Sequence, residues 1–149
     1  MGVETPAAEE RQRLAEACAE ALWQDDHAAQ GLGVRIEAIG PGMATLAMTV
    51  TQAMANGHGM CHGGFIFTLA DSAFAYACNS HGERAVAQHA AITFLRPARV
   101  GERLVATAAD RAQAGRTGLT DIEVRGGDGS LVAVFHGQSR RLGQPFFPE

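Results

Sequence analysis

Residues 63–79 read GGFIFTLADSAFAYACN, and Asp71 is the one charged residue among them. The run is apolar on nearly every helical face, which predicts a helix buried inside the protein. An ionised carboxylate costs several kcal/mol to bury, even after relaxation. A stable fold does not need one there. Two accounts are open. Asp71 is a structural carboxylate capped by Ser72, Tyr76 or a backbone amide, or it is a general base or nucleophile at the edge of an apolar pocket. Burial would raise its pKa and strengthen it as a base.

The segment leading into this helix is NGHGMCHGG, residues 56–64. Gly63 and Gly64 are poor helix formers in the first turn. They leave backbone N–H groups open to close approach, and a helix N-terminus can stabilise an oxyanion. Asn56 can add a side-chain donor. The competing account is that the glycines only permit tight packing on a sheet. His58, Cys61 and His62 approach metal-ligand spacing, but no fourth ligand is evident and the spacing is not that of a zinc module. No metal or other cofactor is expected. Cys61 and His62 are adjacent, so their side chains diverge and a thiol–imidazole pair is disfavoured.

Helix geometry adds a constraint. His62 and Asp71 are nine residues apart, about 13 Å along the axis, and they point to opposite sides. Gly63 and Asp71 are about 12 Å apart on the same arithmetic. One chain cannot aim its helix N-terminus and its own Asp71 at a single carbonyl. If both act, the site combines two chains with antiparallel central helices.

Outward from the helix, the pattern is mostly β. Pro6 to about Gln30 reads as one amphipathic helix lying outside the sheet, with Gly31 as its stop. Residues 33–39 and 43–51 alternate around Gly40-Pro41-Gly42, as in a β-hairpin. After Gly82, strands are expected over Val86–Leu95, Arg103–Gln113, Arg116–Arg125 and Leu131–Leu142. The tail GQPFFPE is expected to be poorly ordered or packed on a neighbour. The order is helix, two strands, buried helix, four strands. An antiparallel sheet curled around one apolar helix satisfies it, an α+β arrangement.

Bulk composition narrows the function. The 149 residues suit one domain, with residues 1–31 as an appended N-terminal helix. A net charge of −4 argues against nucleic acid as a bulk partner. Three cysteines, two of them in apolar helical contexts, do not make a disulfide framework and suit a reducing cytoplasm. The N-terminal residues read as neither a signal nor a transit peptide. The longest apolar run falls short of the ~20 residues of a membrane span.

The run from Asn56 through His62-Gly63-Gly64 and Asp71 to Ala75-Tyr76-Ala77-Cys78-Asn79-Ser80 resembles the hotdog-fold acyl-CoA thioesterases, in particular those of phenylacetate degradation. The likeness continues through Ile92-Thr93-Phe94-Leu95-Arg96-Pro97 and the strands from Arg103 to Arg141, covering most of the chain after Gly31. The resemblance implies a curved antiparallel sheet around the central helix. It also implies a dimer with a continuous sheet, usually paired into a tetramer, and an active site shared between subunits. It implies that Asp71 activates water or attacks the thioester carbonyl. Gly63 would give its N–H to that carbonyl, Asn56 would hold the water or the carbonyl, and His62 and Gly64 would complete the motif.

Some relatives carry Ser or Thr on the strand after the helix, near His89 and Ala90. That hydroxyl is missing here, and His89 is the candidate replacement. Arg96, Arg116, Arg140 and Arg141 are available for the coenzyme A phosphates, and the family pattern favours the turn of Arg116 and Gly118. Met60, Phe67 and Phe74 are candidates for the acyl pocket. The implied reaction is hydrolysis of acyl-CoA, with phenylacetyl-CoA and its ring-hydroxylated forms as substrates. A hydratase or dehydratase would pair a catalytic His with a carboxylate in a different motif, not found here. A non-catalytic acyl-CoA binding module would not need Asp71.

Overall fold

The computed structural model describes Gly2 and residues 6–148. Helices α1 (Pro6–Gln24) and α2 (His27–Gly31) precede strands β1 (Arg35–Gly40) and β2 (Met43–Thr49). Helix α3 (Gly63–Cys78) follows, and then strands β3 (Glu83–Phe94), β4 (Arg103–Ala114), β5 (Thr117–Arg125) and β6 (Leu131–Pro145). The six strands form one sheet in the order β1-β2-β4-β5-β6-β3, antiparallel at every step. Hairpin turns explain the direct neighbours. The connection through α3 carries β3 to the far edge.

The expected buried helix is present, and the sheet curls around it. Leu69, Ala70, Ala73, Phe74, Tyr76 and Ala77 of α3 are buried against alternate residues of the strands, among them Leu46, Met48, Leu104, Ile122, Val124 and Phe135. Each large apolar side chain removed from water in this way contributes about 1.5–3 kcal/mol. Sheet and helix approach most closely at Gly137. A Cβ there would lie 2.6 Å from the ring of Phe74, which is itself buried against Phe135. Glycine is thus required by space rather than by backbone angle.

Both ends of α3 are fixed by side chains. His62 is its N-cap and accepts a hydrogen bond at Nδ1 from the Gly64 amide, 3.3 Å away. At the other end, Asn79 donates from Nδ2 to the Ala75 and Ala85 carbonyls and accepts from the Ala85 amide. This buried clamp sets where β3 begins relative to the helix. The chain turns between them at Gly82, with φ of 90°.

Three expectations are corrected. The N-terminal helix is broken at Asp25–Asp26, because the Asp26 carboxylate caps a second helix at the Ala29 amide and also accepts from the Tyr76 hydroxyl at 3.0 Å. Helix α1 is also more than an outer layer. It bonds β1 through Gln12 Nε2 and the Ile39 carbonyl, and Leu14 packs at Gly82, so it bridges the two ends of the curled sheet. The tail is strand rather than loose chain: β6 runs to Pro145 opposite Glu83, and the Phe146 amide donates to the Gly82 carbonyl. Glu149, the last residue of that tail, lies outside the described residues.

Replacing Gly137 with Ala is expected to destabilise the protein by about 1–3 kcal/mol through overpacking against Phe74. Thermal denaturation checks this, and an unchanged midpoint would contradict the close approach.

Candidate active site

Asp71 lies on the α3 face that also carries Phe74, Ala75 and Cys78, the i, i+3, i+4 and i+7 positions of one stripe. These residues form one wall of a cavity of about 450 Å³. Arg84 to Ala87 of β3, Leu142 of β6 and Leu22 of α1 complete it. The capping account of Asp71 does not hold. The Ser72 hydroxyl donates to the Thr68 carbonyl and the Tyr76 hydroxyl to Asp26, and no described residue hydrogen-bonds the Asp71 carboxylate. Burial in apolar surroundings pushes its pKa above the ordinary carboxylate value. It is a partly exposed, unpartnered carboxylate facing a cavity.

Gly63 lines a second cavity, of about 440 Å³, together with Asn56, Met60, Cys61, Phe94 and Leu95. As the first residue of α3 it has an amide with no intrahelical acceptor. The Gly64 amide is already taken by His62, so Gly63 is the open donor of this turn. Asn56 braces the loop: its Oδ1 accepts from the amides of His58 and Met60 at 2.9 and 3.2 Å. Its amide nitrogen remains as a donor. Among the described residues no three of His, Cys, Asp and Glu gather at metal-binding spacing. His58 is exposed, and the Cys61 thiol is buried against the His62 carbonyl.

The two cavities are separate in one chain, as the helix arithmetic requires. Asn56, Met60, His62, Gly63 and Gly64 cluster at the start of α3, and Asp71 and Phe74 lie on the other wall. Phe74 is mainly a core residue, and Phe67 packs on Phe135 and lines neither cavity.

His89 does not join the site. The β3–β6 register shifts between Ala87 and His89, and His89 stands on the outer face of the sheet beside Gln138, Leu119 and Asp121. The β3 residues beside Asp71 are Ala85, Val86 and Ala87 instead. A bulge changes which residues face inward, and the sequence pattern carries no sign of it. Leu22 and Leu142 are wall residues that sequence reasoning missed, since nothing local marks α1 or the end of β6 as reaching the cavity.

Arg116 sits in the β4–β5 turn, exposed and without an ion pair among the described residues, and its carbonyl accepts from the Arg141 amide. Arg96 is occupied. It is paired with Glu102 at 2.6 Å and bonded to Ser130 and the Pro97 carbonyl. Gly118 faces inward, where a Cβ would meet the Ser139 hydroxyl at 2.6 Å. Its role is close packing beside the turn.

A six-stranded antiparallel sheet curled around one helix, with the catalytic candidates on that helix, defines a hotdog-fold protein. Residues 58–133 match the model of the thioesterase superfamily. The chain is 49% identical over 125 residues to the acyl-coenzyme A thioesterase PaaI of Escherichia coli K12, covering 84% of this chain and 89% of that protein. The solved structure of the E. coli PaaI protein from the phenylacetic acid degradation operon superposes with a TM-score of 0.88 at 46% identity, over 90% of this chain and 97% of that one. The TT0310 protein of Thermus thermophilus gives a TM-score of 0.76 at 39% identity, over 78% and 98% of the two chains. The chain belongs to the thioesterase superfamily.

An acid whose folded pKa is raised opposes folding once it is ionised. The Asp71→Asn variant should therefore match the wild type below the ordinary carboxylate range. It should be the more stable protein as pH rises through the raised pKa. Urea titrations at acid and neutral pH check this, and an Asn variant clearly less stable at neutral pH would make Asp71 a structural carboxylate.

Proposed function

We propose that the acyl-CoA thioesters this enzyme hydrolyses are aryl-acetyl-CoAs, such as phenylacetyl-CoA and its ring-hydroxylated forms, and that each active site is built by two chains. The observation that carries the mechanism is the unpartnered Asp71 carboxylate facing an apolar cavity. Ionised Asp71 takes a proton from water as the water oxygen bonds to the thioester carbon. The carbonyl electrons move to oxygen, where a backbone N–H can stabilise them. Collapse of this intermediate breaks the C–S bond and releases the coenzyme A thiolate, which is then protonated.

The open edge of the sheet supports a shared site. Among the described residues no strand pairs with the outer side of β3, twelve residues long, and Val86 and Phe94 are exposed along it, with Leu95 just beyond. A bare edge of this length is a template for pairing with another strand. Two copies of β3 paired antiparallel about a twofold axis near Ala90 and Ala91 set residues 84–87 of one chain beside residues 94–97 of the other. The first group lines the Asp71 cavity and the second the Gly63 cavity. The Gly63 N–H of one chain then serves the Asp71 of its neighbour. Asn56 is placed to help hold the water or the carbonyl, and His62 to hold the turn.

The relatives' names support the substrate class: one is an acyl-coenzyme A thioesterase, and its structure belongs to a phenylacetic acid degradation operon. For the coenzyme A phosphates, Arg116 with its neighbours Arg140 and Arg141 offers charge that no acidic residue neutralises among the described residues. Arg96 is already committed to Glu102.

Thiol release from phenylacetyl-CoA tests the reading. The kcat/KM of the wild type should fall on the acid side, with a pKa above the ordinary carboxylate range, because protonated Asp71 cannot accept a proton. Asp71→Asn should lose about 10²- to 10⁴-fold and the acid limb with it. Near wild-type turnover in a folded variant would overturn the role of Asp71.

A further inference from the structure

The cavity beside Asp71 has two wall residues outside the family match, Leu22 and Leu142. Leu22 belongs to α1, and the thioesterase model covers residues 58–133 only. The remaining walls are α3, the start of β3 and Leu142. Leu22 is partly exposed, so it presents surface to the cavity rather than vanishing into the core. The α3 residues that line the cavity run from Asp71 to Cys78, about 10 Å of helix axis. Leu22 helps close this short trough.

Helix α1 is held firmly enough to act as a wall. Ala15, Cys18 and Ala19 are buried. Trp23, the next residue after Leu22, lies against the Tyr76 ring with centroids 6.5 Å apart. The Tyr76 hydroxyl donates to Asp26 just beyond. At the other end Gln12 bonds the Ile39 carbonyl. Leu22 is therefore pinned on both sides to the body of the fold.

The lining is apolar apart from Asp71, the fully bonded Asn79 and Arg84. The Arg84 guanidinium lies over the Phe146 ring, 4.3 Å from its centroid. The largely apolar lining suits the acyl end of the substrate. We propose that Leu22 is a specificity-determining residue that bounds this acyl cavity and limits the size of the acyl group. The inference rests on the reading of Asp71 as the base that attacks through water, because that fixes the carbonyl at the cavity's edge.

The test is kcat/KM over acetyl-, hexanoyl-, decanoyl- and phenylacetyl-CoA for the wild type, Leu22→Ala and Leu22→Trp. One methylene in an apolar pocket changes discrimination by about 10- to 200-fold. Leu22→Ala should raise the decanoyl to hexanoyl ratio at least about tenfold, and Leu22→Trp should lower the phenylacetyl to acetyl ratio by a similar factor. Acetyl-CoA turnover should persist in both, which a merely structural defect would not allow. Ratios that stay fixed while every substrate is hydrolysed, or a uniform loss across the series, overturn the role of Leu22 and leave the thioesterase reading standing. A wild-type chain inert on all four substrates overturns both.

Discussion

A helix is a rigid rod, and here it keeps the two halves of the chemistry apart. The open amide of Gly63 is at one end of α3, and the Asp71 carboxylate is eight residues further on, about 12 Å along the axis. No side-chain rotation closes that gap. Asp71 also takes no hydrogen bond from the described residues of its own chain, so its charge is costly where it stands. The open edge of β3, the two cavities and the apolar surface along that edge all make sense against this separation. On the proposed reading, a carboxylate that is a liability in one chain becomes a base at a junction of two.

The fold serves to place that carboxylate. The curled sheet buries most of α3 and leaves one stripe free. Gly137 allows the Phe74 ring to lie directly on the sheet, which sets the depth of the helix. Asn79 ties the helix end to the start of β3, so the strand residues beside Asp71 are fixed by a buried hydrogen-bonded clamp. Helix α1 then bridges the sheet's two ends, held by Gln12 on β1 and by Asp26 on Tyr76. The tether explains why Tyr76, although a phenol, is buried: its hydroxyl has a charged acceptor, and burial beside that carboxylate pushes its pKa well above the usual range.

Much of this is legible in the sequence because it rests on local pattern. The apolar run around Asp71, the alternating strands and the glycine turns each mark an element within a few residues. The separation of Gly63 and Asp71 follows from helix geometry alone. What escapes a reading of the sequence depends on contacts distant in the chain. The break at Asp25–Asp26 comes from a hydrogen bond to Tyr76, fifty residues away. The tail reads as loose chain, yet Gly143, at φ 70°, lies within a strand paired to β3. His89 reads as a candidate for the missing hydroxyl because the pattern does not show the register shift between Ala87 and His89. Leu22 carries no chemical signature, and only the path of α1 brings it to the cavity.

The central claim is that one chain supplies the base and another the amide. It is tested most directly by mixing two inactive proteins. Asp71→Asn removes the base. Gly63→Pro removes the N–H at a position where proline suits the first helical turn, and His62 already has the extended ψ of 132° that precedes proline well. A Cβ added there would lie 2.9 Å from the ring of Phe94, which has to shift, and because Phe94 lies in the proposed seam the variant must first be shown to dimerise. Each variant alone should be inactive on phenylacetyl-CoA. After co-expression or subunit exchange, mixed dimers carry one intact site, and random pairing should restore roughly a quarter of wild-type turnover. A mixture that forms mixed dimers, shown by two different affinity tags, yet stays as inactive as its parents would contradict a site shared between chains.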